Sequence, residues 1–108
     1  MEVLEEKIGD AIVLVPVDRV DSATAKAFEA KVIAAVGQGS AKIVLDFSRL
    51  DYISSAGLRV VLVGAKMTRS PRKFVLSDMK PHIREVFDMS GFSKILVIHA
   101  DRQGALSE

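Results

Sequence analysis

The fold is decided by residues 41–67, which read AKIVLDFSRLDYISSAGLRVVLVGAKM. This stretch begins with an apolar, β-branched run from Ala41 to Phe47, and such a run between turn residues predicts a strand buried on both faces. A helix follows, and its apolar positions recur at the spacing of one helical face: Leu58, Val61, Leu62 and Ala65. Further apolar residues widen that face, so we expect the helix to pack on more than one side.

The segments on either side continue this alternation of strand and helix patterns. Two short strand patterns flank a tight turn at Ile8-Gly9-Asp10, and an amphipathic helix with its N-cap at Asp21 or Ser22 is expected to end at Gly37. The predicted strands are Val3–Lys7, Ala11–Val15, Ala41–Phe47, Lys73–Ser77 and Ile95–Ile98, and the predicted helices cover residues 25–36, 58–67 and 83–87, with a short terminal helix within 101–108.

The order of these elements predicts a single α/β domain over residues 1–108. We expect a mixed, mostly parallel sheet of about five strands with an opening hairpin, accompanied by about four helices. The length of 108 residues is typical of one domain, and no segment has the composition of a linker.

Composition limits the classes of function open to the chain. The 15 Lys and Arg residues nearly balance the 14 Asp and Glu residues, which gives no electrostatic support for binding nucleic acid. The absence of Cys excludes zinc–thiolate sites and thiol catalysis. The only histidines, His82 and His99, are far apart in the sequence and no ligand spacing surrounds them. We therefore predict no metal, no cofactor and no enzymatic activity.

The N-terminal region gives no sign of a membrane segment. Its longest apolar stretch, Ala11 to Val17, is too short for a span of about 20 residues. The acidic residues at its start lack the basic character of a secretory signal. We expect a soluble cytoplasmic protein that does not insert into membranes and is a monomer when free.

Ser54 and Ser55 open the most apolar helix of the chain, with Ala56 and Gly57 in its first turn. The first N–H groups of a helix have no internal partners and carry partial positive charge, so a phosphate on a serine here would be held by them. Such a phosphate would add about −1.5 to −2 charge and could break a docking interface without unfolding the domain. Helix capping alone is the commoner use of such serines, and on these residues alone it stays the leading interpretation.

Three motifs together resemble the STAS-domain family of anti-sigma factor antagonists. Tyr52-Ile53-Ser54-Ser55-Ala56-Gly57-Leu58 is similar to the segment that this family phosphorylates, Asp-Ser-Ser-Gly-Leu or Asp-Ser-Ala-Gly-Leu. The stretch from Val86 to Ile95 is similar to its Phe-Asp-(apolar)-(Ser/Thr)-Gly segment, and Val20 to Ala25 to its Leu-Asp turn into the first helix. The order and spacing agree over nearly the whole chain, so the resemblance implies a STAS-like fold.

The resemblance also implies a partner switch. Ser55 corresponds to the serine that the family phosphorylates, and Ser54 stands where the family most often has Asp. Asp21 and Asp46 match acidic positions near the phosphorylation site. By this resemblance, the unphosphorylated protein binds a serine kinase that is also an anti-sigma factor, phosphorylation of Ser55 releases it, and a metal-dependent serine phosphatase resets the cycle.

The predicted partner surface combines the turn after Val20, the start of the Ser55 helix and the end of the following helix. Its residues are Asp21, Ser22, Asp46, Ser54, Ala56, Gly57, Met89, Gly91 and Phe92. Two alternatives stay open. A STAS subunit could dock on a transporter or signalling scaffold without phosphorylation, with Ser55 serving only as a cap. A small enzyme on the same scaffold would require a closed pocket holding a histidine with a perturbed pKa.

Overall fold

A computed structural model describes residues 1–108 and shows 7 strands and 4 α-helices. The strands are β1 (Val3–Ile8), β2 (Ala11–Pro16), β3 (Asp18–Val20), β4 (Lys42–Asp46), β5 (Leu50–Ile53), β6 (Lys73–Ser77) and β7 (Val97–His99), and the helices are α1 (Ala25–Gly37), α2 (Ser55–Met67), α3 (Pro81–Met89) and α4 (Arg102–Ser107). None of these helices combines the length and the apolar character that crossing a membrane requires.

The main sheet has 5 strands in the order β1-β2-β4-β6-β7. β1 and β2 form the antiparallel opening hairpin, and every other neighbouring pair is parallel. β4 lies at the centre, and all of its residues are buried, as its unbroken apolar run predicts. The predicted mixed, mostly parallel α/β fold is confirmed.

A second, two-stranded sheet is the main difference from the sequence-based prediction. β3 and β5 pair in parallel within segments whose sequence predicts polar turns. Both strands are short and mostly exposed, and only Val20, Leu50 and Ile53 bury their side chains. Each strand buries too few residues to produce an alternating pattern long enough to recognise.

The last strand also differs from its prediction. Phe92–Lys94 forms a 3-10 turn, and β7 begins at Val97 instead of Ile95. Ile95 is 66% exposed, so it takes no part in the core. A run of four apolar residues predicts burial but does not show which of them reaches the sheet.

The two faces of the main sheet are covered unequally. One face carries a core cluster of 20 buried residues, to which α1, α2 and α3 all contribute. The opposite face carries a smaller cluster, Val13, Val15, Val44, Val75 and Ala105, and α4 is the helix that covers it.

Gly64 allows α2 to lie close to its neighbours on the larger core. A Cβ at this position would stand 2.7 Å from ring atoms of Phe74 and 2.7 Å from Cγ1 of Val32. These atoms belong to β6 and α1, so a single residue without a side chain sets the approach of three elements. A larger residue would force them apart.

We predict that Gly64→Ala lowers the free energy of unfolding by about 1–3 kcal/mol, because overpacking shifts buried side chains. Gly37→Ala is the matched control, since a Cβ on this last residue of α1 meets no atom within 4 Å. We expect the control to be neutral or stabilising by up to about 1 kcal/mol. Urea unfolding of both variants measures the difference, and equal effects would contradict the close approach.

Candidate functional site

Two helix starts meet where the parallel strands β3 and β5 end. Val20 pairs with Ile53 in the strand register, and the backbone N–H of Ser54 donates to the carbonyl oxygen of Val20 at 2.8 Å. The carboxyl ends of parallel strands lie at the same edge of a sheet. The turn that begins at Asp21 and the turn that begins at Ser54 are therefore neighbours, as the predicted surface requires.

Asp21 organises the turn into α1. Its Oδ1 accepts hydrogen bonds from the backbone N–H groups of Ala23 (3.0 Å) and Thr24 (3.1 Å), while its own N–H donates to Thr24 Oγ1 at 2.9 Å. Partial desolvation raises the pKa of Asp21, but these backbone hydrogen bonds outweigh it and the net pKa lies below the ordinary value of 3.8. The predicted N-cap at Asp21 or Ser22 is wrong, because the N-cap of α1 is Thr24, whose side chain makes no capping hydrogen bond. Asp21 instead orders the turn before the helix, and Ser22 is exposed at the surface.

Ser54 is the N-cap of α2. Its backbone is extended, with φ −90° and ψ 175°, and its Oγ accepts from the N–H of Gly57 at 3.4 Å. Its carbonyl oxygen accepts from the N–H of Leu58 at 2.9 Å. The capping interpretation therefore holds for Ser54, whose hydroxyl is committed to the fold.

Ser55 differs from Ser54 in its exposure and in its hydrogen bonding. It is the first residue of α2, its side chain is exposed, and its hydroxyl makes no hydrogen bond within the protein. The backbone N–H groups of Ser55 and of half-buried Ala56 also take no partner in the protein. Free N–H groups at the positive end of a helix favour a negative charge beside them.

Gly57 serves the packing of α2 on the small sheet. It is buried, and a Cβ there would stand 2.7 Å from Cγ1 of Ile53 and 2.9 Å from Cγ1 of Val20. Gly57 is among the residues of the predicted partner surface. In the structure it is buried instead, and the space beside it is filled by the protein's own side chains.

Asp46 is separated from Ser55 by the sheet. It is only 4% exposed, and its Oδ2 accepts from the guanidinium of Arg102 at 2.9 and 3.0 Å. Its Oδ1 accepts from the N–H of Ser48 at 2.8 Å, so Asp46 forms the turn that follows β4. Arg102 belongs to α4, so this carboxylate faces the smaller core and not the expected partner surface.

The third predicted segment lies around the end of α3. Met89 is 81% exposed, whereas Phe92 is partly buried against the larger core. Gly91 has a φ of 82°, the left-handed conformation that lets the chain turn out of the helix. Met89 is thus the exposed apolar side chain of this segment, whereas Phe92 packs the turn against the larger core.

Several exposed side chains at this edge were not identified from the sequence. The Arg19 guanidinium lies 5.0 Å from the Tyr52 ring centroid, and its Nε is 2.9 Å from Asp21 Oδ2. On the other side of β5, Lys80 forms an ion pair with the Asp51 carboxylate. His82 Nε2 lies 2.6 Å from the Asp51 carbonyl oxygen. These contacts join β3 and the start of α3 to β5, and the sequence gives no sign of them because it does not reveal β5 as a strand.

The chain is similar to known proteins in both sequence and structure. The STAS domain family model matches residues 3–105. BtrV of Bordetella bronchiseptica, a candidate anti-sigma factor antagonist, is 44% identical over 106 residues, which cover 97% of this chain and 91% of BtrV.

Two solved structures show the same fold. An anti-sigma factor antagonist from Mycobacterium paratuberculosis superimposes with a TM-score of 0.93 at 22% identity, covering 98% of this chain and 91% of that one. The Bacillus cell fate determinant SpoIIAA in its phosphorylated form gives a TM-score of 0.71 at 22% identity, covering 95% of this chain and 96% of that one.

The different surroundings of the two serines predict different costs of substitution. We expect Ser54→Ala to lower the free energy of unfolding by about 0.5–1 kcal/mol, because the Gly57 N–H loses its acceptor. Ser55→Ala is the matched control and is expected to change it by less than about 0.5 kcal/mol, because no hydrogen bond is lost. Urea unfolding tests the pair, and a larger loss for Ser55→Ala would reverse the assignment of the cap.

The Lys80–Asp51 pair predicts a pH dependence. The hydrogen bond and the positive charge of Lys80 lower the pKa of Asp51 below its ordinary value of 3.8. Because folding lowers this pKa, the stabilisation is complete above the unfolded-state value and is lost as the pH falls through the folded-state value. Asp51→Asn should therefore be slightly less stable than the wild type at about pH 7, and the difference should vanish toward about pH 2.

Urea unfolding at a series of pH values measures this difference. Glu85→Gln is the control. Glu85 lies on the exposed side of α3, the helix that Lys80 precedes, and it forms no ion pair within the protein. A difference between Asp51→Asn and the wild type that stays constant with pH would show that the ion pair does not tie α3 to β5.

Proposed function

This chain belongs to the STAS domain family, and from that premise we propose that it is an anti-sigma factor antagonist switched by phosphorylation of Ser55. The name of BtrV, which is similar over nearly the full length of both chains, supports the first part. The SpoIIAA structure of the same fold is described as phosphorylated, which supports a modification of this kind.

One observation carries the choice of residue. Of the two adjacent serines, Ser54 uses its hydroxyl to cap α2, and Ser55 presents an exposed hydroxyl without a hydrogen bond. A kinase can approach Ser55 without breaking a contact of the fold. Modification of Ser54 would instead sacrifice the cap.

The proposed partner is a serine kinase that is also an anti-sigma factor. It binds the unphosphorylated surface around Ser55, together with the Asp21 turn and Met89. The Ser55 hydroxyl oxygen then attacks the γ-phosphorus of ATP, the bond to the bridging oxygen of ADP breaks, and the hydroxyl proton passes to a base of the kinase. This chain supplies only the nucleophilic hydroxyl, while ATP and its metal belong to the partner.

Charge explains how the modification releases the partner. The phosphate brings about −1.5 to −2 charge to a surface on which the carboxylates of Asp21 and Asp51 are already paired with Arg19 and Lys80. The free N–H groups of Ser55 and Ala56 can stabilise that charge while it faces water. Burying it against a partner would require desolvation, which costs several kcal/mol for an unpaired ion. The fold therefore tolerates the phosphate, but the interface does not.

A metal-dependent serine phosphatase is proposed to restore the hydroxyl. Hydrolysis of the phosphate ester returns Ser55 and inorganic phosphate, so the protein can bind the kinase again. Since the cycle consumes ATP, we propose that it runs in the cytoplasm.

The test begins with a pull-down by unmodified protein to obtain the kinase. Incubation with ATP, intact-mass spectrometry and site mapping should then show a single phosphate on Ser55 and loss of binding. Ser55→Ala should take up no phosphate and remain bound, and Ser55→Glu should bind at least about tenfold more weakly. Ser54→Ala is the matched control and should still be phosphorylated.

Each other outcome has a definite meaning. Phosphate mapped to Ser54 would move the switch by one residue and contradict the argument from capping. No phosphate on the wild type, together with binding that Ser55→Glu leaves unchanged, would overturn the proposal in favour of a docking subunit that is not phosphorylated.

A further inference from the structure

The smaller core is covered by α4, and this helix forms hydrogen bonds with residues at both ends of β4. At the start of β4, Lys42 Nζ donates to the carbonyl oxygens of Ala105 (2.7 Å), Leu106 (3.2 Å) and Glu108 (2.8 Å) at the end of α4. At the end of β4, Asp46 accepts from Arg102 at the start of α4. Helix and strand therefore run antiparallel, with a charged contact at each end.

Lys42 and Asp46 are both buried, so their charges need partners within the protein. Lys42 is 8% exposed and Asp46 is 4% exposed. A buried charge is tolerated only when it is paired and hydrogen-bonded, and removing one partner leaves the other charge uncompensated. The position of α4 is consequently coupled to the position of the Asp46 carboxylate.

The same carboxylate holds the turn that leads to Ser55. Asp46 Oδ1 accepts from the Ser48 N–H, and the Leu50 N–H closes the turn by donating to the Phe47 carbonyl oxygen at 3.0 Å. The chain continues from this turn through β5 directly into the cap of α2. One oxygen of Asp46 thus binds α4, and the other binds the segment that carries Ser55.

We infer that Arg102 is a positioning residue: by holding Asp46, it fixes the turn at residues 47–49 and, through β5, the start of the helix on which Ser55 stands. The importance of this for phosphorylation rests on the proposed function, whereas the ordering of the turn does not. Release of α4 would then loosen the segment on the other side of the sheet, which makes α4 a means of regulating the switch.

Arg102 offers a matched control, because its guanidinium contacts a second carboxylate. Its other arm lies 3.0 Å from Glu6 Oε1, whose side chain is 58% exposed. Exposed ion pairs contribute little to stability. Glu6→Gln therefore removes one partner of the same guanidinium without disturbing Asp46 or the turn.

Residue-resolved amide hydrogen exchange of the full chain tests the inference. Arg102→Gln should speed exchange at Leu50 and Ser54 by about tenfold beyond the change at Val32, a buried residue of α1 that reports global unfolding. Glu6→Gln should change these rates by less than about twofold. Equal acceleration at all three positions, or none at Leu50 and Ser54, would overturn the inference.

A second variant covers the case in which Arg102→Gln does not fold. Asp46→Asn keeps an oxygen that can accept from Ser48 but removes the charge that Arg102 binds. It should accelerate exchange at Leu50 and Ser54 in the same selective way, and unchanged exchange would again contradict the inference.

Phosphorylation by the captured kinase completes the test. Ser55 of Arg102→Gln should be modified several-fold more slowly than that of Glu6→Gln. If the wild type takes up no phosphate while the exchange pattern appears as expected, the proposed function fails and the coupling stands. If both variants are phosphorylated alike and exchange is unaltered, the coupling fails and the proposed function stands.

Discussion

The place of Ser55 depends on the parallel pairing of β3 with β5. This pairing sets Val20 beside Ile53 and lets the Ser54 N–H reach the Val20 carbonyl oxygen, so that α1 and α2 begin at one edge. Gly57 then allows the first turn of α2 to settle on the same two side chains. Because the packing leaves no room for a Cβ, the start of α2 cannot slide along the small sheet. The exposed hydroxyl is thus held by rigid neighbours while making no hydrogen bond itself.

In the proposed function, two adjacent serines at this helix start have separate roles, one in stability and one in phosphorylation. A residue that both capped the helix and carried the modification would lose its cap whenever it was modified. Here Ser54 accepts the Gly57 N–H, and Ser55 can change its charge while that hydrogen bond remains. Asp, the residue that the resemblance places most often at this position, is as good an N-cap as Ser. Ser at position 54 can therefore cap the helix as Asp would, with one negative charge fewer beside the proposed switch.

The main elements could be predicted because their patterns are long. Strand β4 is an unbroken apolar run, and α1 and α2 repeat apolar residues at helical spacing, so type and order follow from periodicity. Two features could not be predicted for definite physical reasons. The strands β3 and β5 bury too few residues for their alternation to be visible. A strand buried on both faces also carries no signal of which side chain points where, so the sequence could not show that Asp46 faces α4. The exposed positions of Ser55 and of the turn at Asp21 could be predicted because both lie at helix starts, where local sequence determines local structure, whereas their role stays a proposal.

The chain itself sets the direction of α4, and the charged ends of β4 match that direction. Only Ala100 and Asp101 separate β7 from α4, and β7 runs parallel to β4, so α4 begins at the carboxyl edge of the sheet and runs back across it. Apolar contacts with Val44 and Val75 do not fix the place of the helix along the strands, since the hydrophobic effect is not directional. Arg102 meets the Asp46 carboxylate at one edge, and Lys42 meets the backbone oxygens of the helix end at the other. A shift of α4 along β4 would leave these buried charges unpaired, which is costly. The position of α4 is therefore fixed by charges at both ends of β4, and one of them, Asp46, is the group that by our inference also orders the turn before β5.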